Sequence, residues 1–184
     1  MDIEVMKKLI RKYQSGHTDF VRQAEKAKAY YRNETDIMFP PLKEEQEKKE
    51  KPLRNADNRI PFNFHGLLVN QKASYMFAAP PIFDLGNKDA NKKLTQFLGD
   101  KYPKVCKDLC IEASNCTVAW LHVWKDGKGA WKYAVVPAEQ IIPVWTSDLE
   151  KELSGVFRSY QSLDEETGDS YTCLLYTSPS PRDA

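Results

Sequence analysis

The sequence predicts an α+β fold, with helices first and a mainly antiparallel hairpin and sheet region after them. Three observations carry this. Up to about residue 115 apolar residues recur at helical spacing; from Thr117 they alternate with period two; strands and helices never alternate as βαβ units.

The helices are taken in order. Residues 2–14 place Met6, Leu9, Ile10 and Tyr13 at i, i+3, i+4 and i+7, with Lys7, Lys8, Arg11 and Lys12 between them. Gly16 is read as closing that helix, and Thr18 as capping a second one through about Tyr31, with Phe20, Ala24, Ala27 and Tyr31 on one stripe. Lys43–Lys51 is a run of charge and Gln between prolines and reads as a solvated loop at about 41–54. Pro61 biases Ile60 toward an extended backbone, after which Asn63 caps a helix from Phe64 to about Phe77, stopped by Pro80 and Pro81. Gly66 is expected to weaken its first turn by roughly 1 kcal/mol relative to Ala. Two more helices are expected at 88–99 and 103–114.

The β region opens with Val118, Trp120, His122 and Trp124 on one strand face. A turn follows over Lys125–Gly129, where Asp126-Gly127 is a hairpin signal, and the return strand at about 130–136 ends at Pro137. A further strand is expected over 155–162, with a turn at Asp164–Asp169.

Composition sets the limits on function. The chain has 184 residues, long enough for one domain or a piece of a larger one. Counting Gly in place of Tyr leaves about 40% apolar residues, below the roughly 45–50% of ordinary globular domains. A net charge of +1, from 27 basic and 26 acidic residues, argues against a polycation that works on nucleic acid or anionic lipid. No run approaches a membrane span, so a chain made in a cytoplasm and not held by a membrane is expected. Cys106, Cys110, Cys116 and Cys173 have no framework spacing and read as reduced thiols.

Catalytic chemistry finds little support. No nucleophile elbow, P-loop, Rossmann fingerprint or HExxH motif occurs. Cys106, Cys110, Cys116 and His122 can be drawn as a metal-dependent hydrolase site, but they lack the short CxxC knuckle of structural zinc and read better as buried thiols and a packed imidazole. Trp120, Trp124, Trp131, Trp145 and Tyr133, with Lys72, Lys101, Lys104 and Lys107, support an alternative as a nucleic-acid-binding module built on an aromatic hairpin; hairpin core is the plainer reading. No catalytic, cofactor or metal residue is assigned.

The segment Cys173–Asp183 equals, over eleven consecutive residues, one translated frame of a transposase-type sequencing adapter. Residues 173–184 are therefore expected to be an artefact outside the fold, with the natural sequence of this part ending near 172 and its reading frame truncated. Removing Arg182 and Asp183 leaves the net charge unchanged at +1.

Several segments, in order over about residues 10–162, resemble the phage portal proteins of the Gram-positive siphophage type. Tyr30-Tyr31-Arg32-Asn33-Glu34-Thr35-Asp36-Ile37 resembles their YYxGxHxI segment, with Asn33 in place of the usual Gly. Asn58-Arg59-Ile60-Pro61-Phe62-Asn63-Phe64 resembles their N-R-I-x-x-N-F signature, followed by a helix over 69–77 and then Pro80, where Ala79 replaces another Gly. Trp120 with the Asp126-Gly127 hairpin, the Pro137–Pro143 segment, and the strand with Arg158 are similar to the next three pieces.

The resemblance implies an incomplete wing-type domain, residues 1–172, of a portal subunit. It implies a homo-oligomeric ring of twelve subunits at a capsid vertex of the virion, assembled in the host bacterial cytoplasm. Duplex DNA would pass its channel without sequence specificity, driven by a terminase that hydrolyses the ATP, while scaffold, capsid and head-completion proteins dock on the ring. The portal itself would be no enzyme. The clip, stem and channel loop of the family come later than the segments matched.

Overall fold

The computed structural model describes residues 3–36, 60–146, 148–164 and 168–177. The charged loop at 41–54, Asn58, Arg59 and residues 178–184 lie outside them. Four α-helices come first among the described residues: α1 (Ile3–Tyr31), α2 (Phe64–Met76), α3 (Lys88–Leu98) and α4 (Tyr102–Cys116). Then follow β1 (Trp120–Lys125), β2 (Trp131–Val136), a 3-10 turn (Ala138–Gln140), β3 (Ile141–Trp145), β4 (Leu153–Leu163) and β5 (Ser170–Thr177). The α+β expectation holds. The strands form two antiparallel sheets, β1–β2 and β3–β4–β5.

The first helix corrects the sequence reading: α1 runs unbroken for 29 residues through Gly16. Thr18 does not cap; its hydroxyl donates to the Gln14 carbonyl one turn back, at 2.9 Å. The reason is packing. Met6, Leu9, Ile10 and Tyr13 lie against a cluster of Ile142, Val144 and Phe157, while Phe20 and Ala24 pack with Cys116, Ala138, Val118 and Trp120. Both stripes are in phase across Gly16, so one helix serves both cores, and a glycine cost of about 1 kcal/mol does not interrupt it.

The α1–α2 junction is held through Asn63. Its Oδ1 accepts the Gly66 N–H at 2.8 Å, and its Nδ2 donates to the Tyr31 carbonyl at 3.0 Å. Tyr31 returns the contact through its hydroxyl to Asn70 Oδ1, at 2.8 Å. Gly66 is explained here: a Cβ would stand 2.6 Å from both terminal atoms of the Asn63 side chain, which its two hydrogen bonds hold in place. Gly66→Ala should therefore lose about 1–2 kcal/mol by overpacking and loss of the cap, instead of gaining the roughly 1 kcal/mol of helix propensity. Urea denaturation checks the sign; a more stable variant would sink this account. Asn33 takes the left-handed conformation, φ 66°, that its place in a glycine position anticipates, and Thr117 (φ 64°) turns the chain from α4 into β1.

The hairpin pairs Trp120 with Val136 through Lys125 with Trp131. Its turn lies where expected, but the left-handed residue is Gly129 (φ 79°). Asp126 holds it by accepting the Lys128 and Ala130 N–H groups, each at 2.9 Å. The tryptophans do not form a hairpin core. Trp120 packs inward, but Trp124 and Trp131 stay 39% and 55% exposed, since a two-stranded sheet has too few layers to cover both faces; Trp145 lies in β3 of the other sheet, 42% exposed.

Periodicity missed β3 and β5. β3 contains Pro143, which an edge strand tolerates, and pairs antiparallel with β4 from Ile141–Arg158 to Trp145–Leu153, with a bulge at Val144/Trp145. β4 is therefore the central strand of this sheet. β5 carries Cys173, Leu174, Leu175, Tyr176 and Thr177 in register with β4, and the Tyr176 ring lies 4.9 Å from that of Phe157. These five residues sit within the sheet, where the fold was expected to stop at 172.

Candidate functional site

The strongest polar constellation joins three elements. Lys28 of α1 donates from Nζ to Glu112 Oε1 of α4 at 2.7 Å and to Glu139 Oε2 and Oε1 of the 3-10 turn at 2.6 and 2.9 Å. Glu112 Oε1 also accepts the Ala138 N–H at 2.9 Å. All three side chains are largely covered. Burial pulls the Lys28 pKa down, but the hydrogen bonds to Glu112 and Glu139 outweigh it and leave it raised. Glu139 mirrors this: burial pushes it up, and Lys28 holds it below its ordinary value. Burial, then the Glu112 charge, push the Cys116 thiol up to about 11, so it stays a neutral thiol.

Glu112, Cys116 and Glu139 bring their ligand atoms within 4.8 Å of one another. That geometry would suit a cation, and the Lys28 ammonium occupies the role. The cluster is an ionic fastener of α1, α4 and the 3-10 turn. Sequence reading missed it; the available signal was Lys28 lying on the same stripe as Ala24 and Tyr31.

The Cys/His hydrolase alternative is not assembled. Cys106 and Cys116 are buried at opposite ends of α4, Cys110 places its sulfur 3.8 Å from Met76 Sδ, and His122 lies against Trp124 on β1. Among the described residues Cys106, Cys110, Cys116 and His122 form no common ligand group. The nucleic-acid alternative is also dispersed. Lys101 covers the Tyr133 ring at 4.3 Å, and Tyr133 is buried with its hydroxyl donating to the Leu98 carbonyl.

The other segments singled out in the sequence act in joints. Tyr30 donates to Asp36 Oδ2 at 3.0 Å, and Arg158 donates to Gln140 Oε1 at 3.2 Å while lying over the Tyr160 ring. Pro137 stands at the head of the 3-10 turn, and Pro80 is exposed after α2. Phe64 is 65% exposed with its ring 5.8 Å from Phe62. It opens an uncovered apolar face of α2 with Leu67, Leu68, Tyr75 and Met76, while Gly66, Val69 and Ala73 pack inward. No described helix is long and apolar enough to cross a membrane.

What fold and site define together is an α+β module whose buried polar cluster fastens its own elements and whose α2 carries exposed apolar side chains. The family described as phage portal protein, SPP1 Gp6-like, matches residues 10–178, and the chain belongs to that family. It is similar to the portal protein of Clostridium phage phiCD119, 46% identical over 151 residues, which are 77% of this chain and 33% of that protein. It is similar also to the portal protein of Bacillus phage SPP1, 25% identical over 122 residues, 66% of this chain and 24% of that one. The chain thus spans a third or less of the length of these relatives.

Proposed function

We propose that this chain supplies the wing-type part of a portal subunit. Twelve copies would form a ring at a capsid vertex of the virion, assembled in the host cytoplasm, through which duplex DNA is packaged and ejected. Terminase would supply the ATP hydrolysis, scaffold, capsid and head-completion proteins would dock on the ring, and this subunit would do no chemistry. Family membership over residues 10–178 carries the reading. The balanced charge agrees with it, because a channel that lets DNA slide should not hold phosphates tightly.

Residues 173–184 we assign to a sequencing adapter, on the eleven-residue coincidence and on nothing in the fold; re-reading the locus from independent DNA tests it. Producing the protein from that intact frame and imaging it tests the function. Closed rings with a central hole are expected, and a monodisperse monomer would overturn the ring. A DNA titration of the present chain at two salt concentrations separates the nucleic-acid module. Binding no tighter than about 10⁻⁴ M is expected, and micromolar binding with a steep salt slope would favour the module instead.

A further inference from the structure

Two surfaces on different sheets of the molecule complement each other. The first is the β3–β4 turn. Its described residues are joined by hydrogen bonds: Thr146 N–H donates to the Glu152 carbonyl at 2.8 Å, Lys151 N–H to the Asp148 carbonyl at 3.2 Å, and Glu152 N–H to Thr146 Oγ1 at 3.0 Å. Lys151 is held at φ 48°, a left-handed conformation that costs a non-glycine residue about 1–2 kcal/mol. What this strained turn presents is Leu149, 102% exposed, flanked by exposed Asp148 and Glu150. Neither carboxylate has an ion-pair partner among the described residues.

The second is a shallow, open cleft between α3 and the hairpin, lined by Ala90, Lys93, Leu94, Phe97, Val123 and Trp131. Its walls are mostly apolar, and two cations stand at it: Lys93, itself a lining residue, and Lys125, whose ammonium lies 4.7 Å over the Trp131 ring. Asp89 is exposed one residue before Ala90 on the same helix, while Lys132 alternates with Trp131 and faces the other side of the hairpin. Asp126, the acid within this part of the hairpin, is taken up by its own turn and stands 3.9 Å from Lys132.

We propose that the acidic Leu149 knob of one copy of this chain seats in the basic apolar cleft of the next. Leu149 would enter between Leu94, Phe97, Val123 and Trp131, with Asp148 and Glu150 against Lys93 and Lys125. The occupant is a second copy because the charges and the apolar tip that fit the cleft are both present in this chain. Knob and cleft are different surfaces, so the contact is head-to-tail, and repeated copies close only as a ring; in this the inference rests on the ring reading above. A single turn in a cleft falls short of the roughly 800 Å² per partner of a stable interface. The isolated chain should therefore associate weakly and in a salt-dependent way.

The test replaces Leu149 with the photo-cross-linker p-benzoyl-phenylalanine, in a mixture of isotope-labelled and unlabelled chains at high micromolar concentration and low salt. Interchain adducts mapping to residues 90–97 and 123–131 are expected. Lys93→Glu with Lys125→Glu should cut their yield at least about tenfold, equal to 1.4 kcal/mol. Adding Asp148→Lys and Glu150→Lys to the same chain should restore much of the yield. Adducts only within one chain, on other segments, or none at all would overturn the inference, as would charge reversal without effect. All substituted side chains are exposed, and circular dichroism confirms that the variants fold. In the intact protein, rings whose position-149 adducts map elsewhere would sink this contact alone, whereas absence of rings sinks the reading beneath it.

Discussion

Phe157→Ala should destabilise the protein by about 3–5 kcal/mol, the range for emptying a fully packed aromatic site. Phe157 is 0% exposed and is the largest completely enclosed side chain among the described residues. It lies on β4, the middle strand, and its cluster with Ile142 and Val144 is roofed by Met6, Leu9, Ile10 and Tyr13 of α1. The hole cannot collapse easily, because strands on both sides fix the position of β4. The N-terminal half of α1 depends on this cluster, so hydrogen exchange should show residues 3–14 losing protection first. Urea denaturation gives the magnitude. A loss below about 1 kcal/mol would mean that the sheet and α1 do not share a core.

Removing the Lys28 ammonium should come next in size. Lys28→Met leaves Glu112 and Glu139 facing each other, 15% and 27% exposed, without their cation. Breaking a fully buried pair costs about 3–5 kcal/mol; partial solvent access here brings the expectation to about 2–4 kcal/mol. The pH dependence follows from the direction of the shifts. Glu139 is held below its ordinary value of 4.5, so its contribution is present above that value and is lost as pH falls through the folded one. Without Lys28 burial dominates and Glu139 shifts up, so protonation relieves the variant. The stability gap between wild type and Lys28→Met should therefore narrow as pH falls from 7 through about 4.5. Lys28 is raised above 10.5, so its contribution persists to that value and disappears only as pH rises through the folded one. Denaturation at pH 7 and pH 4 checks this. A gap that is small at pH 7, or that widens in acid, contradicts the fastener.

How much of this was legible in the sequence depends on how far apart the interacting residues lie. Asn63, as a helix cap, acts on the chain three residues onward, and its helix starts where the cap says. The hairpin is equally local, and Asp126 closes a turn whose bonds span at most four residues. The ordered segments from Tyr30 to Arg158 sufficed to name the family. Local pattern therefore determined element types, most boundaries and kinship.

Tertiary structure decided the rest. Gly16 reads locally as a stop, and only a second core in phase with the first carries α1 through it. Ile141–Trp145 contains a proline and shows no periodicity that assigns it an element; becoming an edge strand required β4 beside it. Lys28 meets its partners 84 and 111 positions along the chain, so no window of sequence contains the contact. The cleft between α3 and the hairpin and the bare Leu149 turn are likewise properties of placement. Periodicity reports what a residue does to its own helix or strand, whereas burial, ion pairing and surface complementarity depend on which distant elements arrive beside it.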